Sequence, residues 1–274
     1  MNTPATNPGV LAQYTTGDGT RARIERALRA AGKDLDQLTP ADFATFEDFH
    51  SLGRLGTTSL LEAAGVTGAD RVLDAGTGIG GTARLLAAEH GCHVTAVDLT
   101  ADYCDTARWL NELVGLAEQI DVVEADITAL PVPDASIDLI VTQHVQMNIP
   151  DKAGLYRELR RVLRPGGRLA LWDVTAGPHQ PIHFPVPWAD TAERSHLITP
   201  EQLATQLHDV GFRVETWNDL TDFAITAMTP VFQAPPDPLG LQLVVPDIQT
   251  KGHTILRNAR EDRIRLIQAV ATAT

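Results

Sequence analysis

Cysteine is scarce in this chain of 274 residues, which contains only Cys92 and Cys104. Neither has the spacing of a metal ligand, and the histidines are scattered without a cluster of other ligand residues around them. These absences argue against a disulfide scaffold and against a structural zinc site. We therefore expect both cysteines to be small packing residues, and we expect no bound metal.

Long apolar runs are also missing. No stretch approaches the ~20 residues that a membrane span needs. The first residues, MNTPATNPGV, lack the basic and apolar regions of a signal peptide. The sequence thus predicts a cytoplasmic protein with no transmembrane segment, and it leaves a homodimer open.

Positive charge is in short supply. Lys and Arg total 22 against 35 Asp and Glu, which gives a formal net charge of −13. Because binding to a phosphate backbone needs clustered cations, we expect no nucleic acid partner. One local run of arginines is interpreted as the solvated face of a helix that ends at PGG. Its members are Arg157, Arg160, Arg161 and Arg164.

What the chain does have is the stretch VLDAGTGIGG, from Val72 to Gly81, followed by VTAVDLT with Asp98 near its end. An apolar run that breaks into glycines, a helical pattern and a second apolar run ending on a carboxylate are typical of a nucleotide-binding βαβ unit. Glycines let backbone N–H groups approach a ligand at a helix N-terminus. Asp98 can accept hydrogen bonds from a ribose diol.

The glycines fit two fingerprints. Gly76, Gly78 and Gly81 satisfy the dinucleotide pattern G-x-G-x-x-G, and Asp74 followed by glycines at 76, 78 and 80 satisfies D-x-G-x-G-x-G. A carboxylate at the end of the first strand would repel a pyrophosphate and attract an ammonium group, so Asp74 favours a cationic ligand. An ordinary tight strand-to-helix turn is the structural alternative.

Strands and helices alternate after about residue 65. This order predicts an α/β fold: a doubly wound, Rossmann-like, mostly parallel seven-stranded sheet with one antiparallel strand and a cap. The predicted strands are Arg71–Asp74, His93–Asp98, Ile120–Glu124, Ile137–Thr142, Arg168–Asp173 and Arg213–Trp217. The predicted helices between them are Gly81–His90, Ala101–Val114, Lys152–Leu163 and Pro200–Val210.

The two ends of the chain are assigned separately. Residues 1–65 are predicted to form a helical cap segment, with helices over 20–31 and 52–64. Residues 66–274 form the ligand-binding domain, with cap insertions at about 176–198 and 221–251. RPGG at 164–167 is predicted to end a helix and turn into the next strand. Residues 263–270 are interpreted as the antiparallel strand, with the last turns of a helix as the alternative.

Four segments together resemble the class I S-adenosylmethionine (SAM) methyltransferases. The similarity is to the bacterial group of glycine, sarcosine and dimethylglycine methyltransferases, and to the related fatty-acid O-methyltransferases. The segments are FHSLGRLGT (49–57), VLDAGTGIGG, TQHVQMNIPDK (142–152) and FPVPWADTAERS (184–195), and the stretch RVLRPGGRLALWDV resembles class I enzymes generally. The resemblance covers about residues 45–217. It implies SAM as the cofactor and S-adenosylhomocysteine as its product.

The resemblance also implies roles for individual residues. Asp98 would hold the ribose hydroxyls, and Leu99 would pack on the adenine. Asp126, followed by Ile127, would accept a hydrogen bond from the adenine amine. Arg54 would bind the SAM carboxylate through two parallel hydrogen bonds. The other expected cofactor contacts are Asp74, Gly76, Thr77, Gly78 and Gln143.

The acceptor side is predicted around two histidines. His144, just past the fourth strand, would orient the acceptor or remove its proton, with Gln143 beside it. His50 and Trp188 are expected at the same cavity, under the helix that follows His50. Apolar residues of the cap predict either an apolar acceptor pocket or packing within the cap. They are Ile225, Met228, Val231, Phe232, Leu239, Leu241 and Leu243.

The predicted function is SAM-dependent methyl transfer to a small-molecule acceptor. The main hypothesis is an oxygen acceptor, the carboxylate or hydroxyl of an apolar acid such as a fatty acid. N-methylation of a small amino acid or amine is the first alternative. A nicotinamide-dependent oxidoreductase and a non-catalytic SAM-binding protein are the others.

Overall fold

One seven-stranded sheet organises the protein. The structure is a computed structural model that describes residues 19–274. The strands are β1 (Arg71–Ala75), β2 (His93–Asp98), β3 (Ile120–Glu124), β4 (Ile137–Gln143), β5 (Leu163–Ala176), β6 (Phe212–Asp219) and β7 (Ile264–Ala273). Their order across the sheet is β3-β2-β1-β4-β5-β7-β6. Strands β1 to β5 pair in parallel, and β7 runs antiparallel to β5 and β6. The predicted fold class is confirmed.

Helices cover both faces of this sheet. In the described part of the chain they are α1 (Thr20–Ala30), α2 (Gly53–Ala64), α3 (Gly81–His90), α4 (Ala101–Leu113), α5 (Lys152–Val162), α6 (Pro200–Asp209), α7 (Thr221–Gln233) and α8 (Ile248–Arg260). Successive strand residues point to opposite faces. Val72 accordingly packs with α2 and α3, and Leu73 packs with α5 and α6.

The strand order reverses beside β1. From β1 the chain moves outward to β2 and β3, and it then returns to place β4 on the other side of β1. Val72 pairs with Leu139 of β4, while Ala75 pairs with Val97 of β2. In open α/β sheets a crevice forms outside the carboxyl ends of the strands at such a reversal. The topology therefore places a crevice where the glycine stretch leaves β1.

The RPGG stretch lies inside β5 and not in a turn before it. The β4–β5 pairing jumps from Ile137–Leu163 to Leu139–Arg168, so residues 164–167 bulge out opposite one residue of β4. Gly166 has a φ of +77°, a conformation that favours glycine. The prediction that β5 begins at Arg168 was wrong, because a bulge uses the same residues as a turn.

Helix α2 does not cover the crevice, contrary to expectation. Its apolar face, which includes Leu60 and Leu61, is buried against the sheet beside Trp172. An amphipathic helix is held by burial of that face, so the sheet fixes its position. The segment before it, residues 47–50, lies at the crevice.

Some of the remaining predictions concern residues that the structure describes, and others concern residues outside that range. The C-terminal strand and the burial of Cys92 and Cys104 are confirmed. No helix within residues 19–274 is long and apolar enough to cross a membrane. The stretch MNTPATNPGV, and the signal-peptide prediction made from it, lie outside the described residues.

Candidate functional site

A cavity of about 330 Å³ lies at the carboxyl ends of β1, β2 and β4. Its wall contains the predicted site residues with the exception of Arg54. They are His50, Asp74, Gly76, Thr77, Gly78, Asp98, Leu99, Asp126, Ile127, Gln143, His144 and Trp188. The structure thus brings together residues from across the chain, and their roles toward a ligand stay predictions.

The glycine loop after β1 is fixed by backbone hydrogen bonds. The N–H groups of Gly76 and Thr77 both donate to Val97 O, at 2.8 and 2.9 Å. The Thr77 hydroxyl donates to Asp74 Oδ2 at 2.6 Å. Gly76 has a φ of +85°, and a Cβ atom there would lie 2.3 Å from a methyl group of Val145. Only glycine fits this position, so the loop can bring backbone close to a ligand.

Asp98, the last residue of β2, is hydrogen-bonded to the glycine loop. Its Oδ2 accepts the Gly78 N–H at 2.8 Å, and its Oδ1 accepts the Thr100 N–H at 2.9 Å. Burial raises the pKa of Asp98, and these two hydrogen bonds oppose the rise. The carboxylate therefore positions the loop as well as facing the cavity.

Asp74, on β1, is almost fully buried. Its side chain is 3% exposed, and desolvation raises its pKa to about 7. The hydrogen bond from Thr77 lowers the pKa, while the negative charges of Asp98 and Asp48 raise it further. A cation bound among these carboxylates would offset their mutual repulsion.

Asp126 follows the end of β3, the strand that pairs with β2. Asp98 pairs with Glu124 of β3, which puts Asp126 two residues past that pair. Its Oδ1 accepts hydrogen bonds from the Thr128 N–H and hydroxyl, at 2.8 and 2.7 Å. This local turn fixes the carboxylate at the cavity wall, next to the buried Ile127.

Arg54 is hydrogen-bonded to two acidic residues and does not line the cavity. Its Nε donates to Asp48 Oδ2 at 2.7 Å, and its Nη2 donates to Glu47. Glu47 also forms a fully buried ion pair with Arg84 of α3, with 2.7 Å between Nη2 and Oε2. Arg54 is not among the lining residues, because acidic residues of its own segment accept its hydrogen bonds, and its assignment to a ligand carboxylate stays a prediction. The spacing alone did not show these hydrogen bonds.

His144 is neutral and fully hydrogen-bonded. Its Nδ1 lies 3.2 Å from Trp172 O, and its Nε2 lies 3.2 Å from the Ser51 nitrogen and 2.9 Å from Ser51 Oγ. Burial lowers its pKa to about 3, and the neighbouring His50 adds to that effect. With both ring nitrogens occupied, the geometry does not support removal of an acceptor proton by His144. It supports a role in holding Ser51, next to the cavity-lining segment.

His50 lies beside His144, with ring centroids 5.9 Å apart. Its Nε2 is 3.1 Å from Thr57 Oγ1 and 3.9 Å from Asp48 Oδ1. Burial also lowers the pKa of His50. Gln143 donates to the Thr82 hydroxyl at 2.8 Å, which ties the end of β4 to α3. These contacts join His50 and Gln143 to helices α2 and α3.

Trp188 lines the cavity, but the apolar cap residues do not. The Trp188 indole N–H donates to Ser195 Oγ at 2.9 Å. None of the seven apolar cap residues named above is part of the wall, whereas Val245 of the same insertion is. Most of the seven pack on the hydrophobic clusters, and Val231 is 59% exposed. The packing alternative is therefore correct for them.

The charge of the wall is of one sign. Six carboxylates line the described cavity, and no Lys or Arg side chain does. The six are Glu47, Asp48, Asp74, Asp98, Asp126 and Asp151. No group of three or more His, Cys, Asp or Glu in residues 19–274 is arranged to hold a metal ion.

Sequence reasoning missed several wall residues. Glu47, Asp48 and Phe49 stand directly before His50, and only that adjacency could have indicated them. Tyr103 comes from α4 and Val245 from the segment between α7 and α8. They reach the cavity through tertiary packing, for which the chain carries no local signal.

Comparison with known proteins gives a consistent picture. The family described as Methyltransferase domain matches residues 73–171. The sarcosine/dimethylglycine N-methyltransferase of Halorhodospira halochloris is 32% identical over 69% of this chain and 64% of its own length. The dimethylglycine N-methyltransferase of Parasynechococcus marenigrum is 31% identical over 56% of this chain and 55% of its own. A sterol 24-C-methyltransferase of Eremothecium gossypii is 29% identical over 60% and 45%.

The chain thus spans about half to two thirds of these relatives. Among solved structures, the geranyl diphosphate C-methyltransferase of Streptomyces coelicolor A3(2) has a TM-score of 0.73, with 15% identity over 99% of both chains. The 4+2 cyclase SpnF has a TM-score of 0.65, with 19% identity over 93% and 95%. Identities this low show the fold alone. The family match and the sequence relatives bear out the predicted resemblance to class I SAM-dependent methyltransferases, and the sheet order agrees with that fold.

Proposed function

We propose that this protein transfers the methyl group of SAM to the nitrogen of a small amine. The observation that carries the proposal is the acidic wall without a lining Lys or Arg, at the carboxyl end of a methyltransferase-type glycine loop. A sulfonium and an ammonium are both cations, and both gain from buried carboxylates.

The cofactor half of the cavity is the part next to β1, β2 and β3. Asp98 would accept hydrogen bonds from the ribose hydroxyls and Asp126 from the adenine amine, since both carboxylates line this part of the cavity. Leu99 and Ile127 supply apolar surface for the base. Asp74 favours the cationic methionine end of SAM, because its own burial is costly without a nearby cation.

The acceptor half contains His50, Gln143 and Trp188. Methyl transfer is an in-line displacement: the nitrogen lone pair forms the new N–C bond, and the C–S electrons return to sulfur. The protein contributes by holding the nitrogen close to the methyl carbon and by excluding water. The hydrogen bond from Gln143 to Thr82 and the burial of Trp188 support such a role for these two side chains.

Nitrogen fits this cavity better than a fatty-acid carboxylate. The apolar cap residues on which the fatty-acid hypothesis depended lie outside the wall. The relatives named above that methylate amino-acid nitrogens point the same way.

The test is an acceptor screen with methyl-labelled SAM, after mass spectrometry of any ligand that purifies with the protein. We expect label in N-methylated products of small amines. Label in fatty-acid methyl esters or on carbon would overturn the nitrogen assignment. Tight SAM binding without transfer would indicate a binding protein or another chemistry on this fold. Binding of nicotinamide nucleotides in preference to SAM would indicate an oxidoreductase.

A further inference from the structure

Asp48 has one buried carboxylate oxygen that lacks a hydrogen-bond donor. Its side chain is 1% exposed, and it lines the cavity. Oδ2 accepts from Arg54 Nε at 2.7 Å, whereas Oδ1 accepts no hydrogen bond from any described residue. His50 Nε2, at 3.9 Å from Oδ1, is beyond hydrogen-bond distance. A buried oxygen without a donor costs free energy, so a ligand that donates to Oδ1 gains from this contact.

Asp48 Oδ1 lies beside the first residue of α3. A Cβ atom built on Gly81 would come within 2.7 Å of this oxygen, and Gly81 also lines the cavity. Gly81 directly follows the glycine loop that begins after β1. The negative charge of Asp48 is close enough to Asp74 to raise the pKa of that carboxyl. Two carboxylates from distant parts of the chain thus meet at the start of α3, where the methionine end of SAM is expected.

The two carboxylates differ in how many donors they already have. Asp74 accepts hydrogen bonds from the Thr77 hydroxyl, at 2.6 Å, and from the Ala83 N–H. Both donors belong to the loop and helix that follow β1, so Asp74 is partly satisfied by its own segment. Asp48 Oδ1 has no such donor. An ammonium group has three N–H donors and can bind Asp48 Oδ1 while its charge offsets the repulsion between Asp48 and Asp74.

The carboxylate beside the ammonium of SAM needs a different partner. Gly81 and Thr82, the first two residues of α3, both line the cavity. N–H groups in the first turn of an α-helix have no partner within the helix, and the helix dipole adds positive potential there. A helix start of this kind receives anions. The same end of the cavity therefore offers a carboxylate oxygen for the ammonium of an α-amino acid and backbone N–H groups for its carboxylate.

We infer that Asp48 Oδ1 accepts a hydrogen bond from the ammonium group of SAM, and that Asp48 makes the protein select cofactors that carry this group. The inference rests on the SAM binding of the proposed function, and not on nitrogen as the methyl acceptor. A hydrogen bond between an ammonium and a carboxylate is of the strong, charge-assisted kind, and burial strengthens it. Arg54 donates to Oδ2, which leaves Oδ1 for the ligand.

The experiment uses a matched pair of ligands, S-adenosylhomocysteine and its deamino analogue. In the analogue a hydrogen atom replaces the α-amino group, and the carboxylate, thioether and adenosine are unchanged. Calorimetry measures the affinity of the wild-type protein for each ligand. We expect S-adenosylhomocysteine to bind more tightly by about tenfold or more, because only this ligand makes the charge-assisted hydrogen bond.

The variant Asp48→Asn assigns the effect to one residue. Asparagine keeps an oxygen that can accept from Arg54, and it can place an NH2 group where Oδ1 was. Asp48→Asn should therefore weaken the binding of S-adenosylhomocysteine by about tenfold or more, with little change for the deamino analogue. Asp121→Asn is the control for the loss of one negative charge, since the Asp121 side chain is 67% exposed. It should leave both affinities unchanged.

Three results would overturn the inference. Unchanged affinity of Asp48→Asn for S-adenosylhomocysteine would remove Asp48 from the ammonium site. An equal loss for both ligands would show that Asp48 only holds its segment in place. A loss confined to S-adenosylhomocysteine in Asp74→Asn, and absent in Asp48→Asn, would assign the ammonium to Asp74 instead.

The acceptor screen is evaluated separately from these binding measurements. Methyl transfer to oxygen or carbon would overturn the proposed N-methylation, and the effect of Asp48→Asn on binding would still support the ammonium contact. Conversely, N-methylation of small amines with no effect of Asp48→Asn on binding would support the proposed function and overturn the inference about Asp48.

Discussion

The ring of Phe49 lies directly over Gly78. A Cβ atom built on this glycine would come within 2.3 Å of Phe49 Cζ, and the glycine has a φ of +55°. The segment before α2 is therefore packed on the glycine loop by an approach that no other residue type allows. The buried ion pair between Glu47 and Arg84 also holds this segment against α3.

Gly78→Ala should displace this segment. We expect a loss of about 1–3 kcal/mol in the free energy of unfolding, from overpacking and from the positive φ. We also expect weaker SAM binding. Gly91→Ala is the control, because Gly91 has a φ of +72° with open space around it. Urea unfolding of both variants checks the difference, and a Gly78→Ala/Phe49→Ala double variant should recover part of the loss.

Asp98→Asn should weaken SAM binding by roughly 1–3 kcal/mol, because charge-assisted hydrogen bonds to the ribose become neutral ones. Calorimetry measures the change. Asp121→Asn serves as a surface control, since the Asp121 side chain is 67% exposed. Unchanged affinity in Asp98→Asn would remove Asp98 from the cofactor site.

SAM binding should release a proton from Asp74. The pKa of this carboxyl is raised to about 7 without ligand, and a bound cation favours its ionised form. Affinity should therefore increase as pH rises from 6 to 8, and calorimetry in buffers of different ionisation enthalpy should detect the proton. Asp74→Asn should abolish both effects. A wild-type affinity that does not change over this range would contradict the prediction.

His144 should make the protein less stable in acid. Its pKa is lowered to about 3 in the folded state, against an ordinary 6.5, so the unfolded chain binds its proton first. The contribution of neutral His144 to the free energy of unfolding is fully present above pH 6.5. It is lost as pH falls toward 3, by at most about 1.4 kcal/mol per pH unit. His144→Asn, which tolerates the φ of +54°, should show a shallower loss between pH 7 and 5. Parallel slopes in urea unfolding would exclude this titration.

Turnover should not require a divalent metal ion. The histidines of the sequence are scattered, and no ligand spacing predicts a metal site. Activity should persist in excess chelator and should not increase with added magnesium. Loss in chelator with recovery on adding magnesium would contradict this.

The sequence was sufficient for the strands of the sheet and for the carboxylates that meet at the cavity from three neighbouring strands. Strand identity follows from apolar runs of period two and turn residues, and both signals are local. Asp74, Asp98 and Asp126 each end or follow a strand, and parallel strands bring their carboxyl ends to one edge. Their meeting at one cavity was predictable from the strand order.

The hydrogen-bond partners of residues at the cavity were decided by tertiary structure. Arg54 was expected to bind the SAM carboxylate, and in this structure it donates to Asp48 and Glu47. His144 was expected to orient the acceptor or remove its proton, and both its ring nitrogens lie within hydrogen-bond distance of Ser51 or Trp172 O. Hydrogen-bond partners of this kind come from segments far apart in the chain, so residue type and spacing do not specify them. The sequence by itself determined which strands form the sheet and where the glycine loop lies. Tertiary packing decided which carboxylates are buried, and therefore which charges the cavity presents.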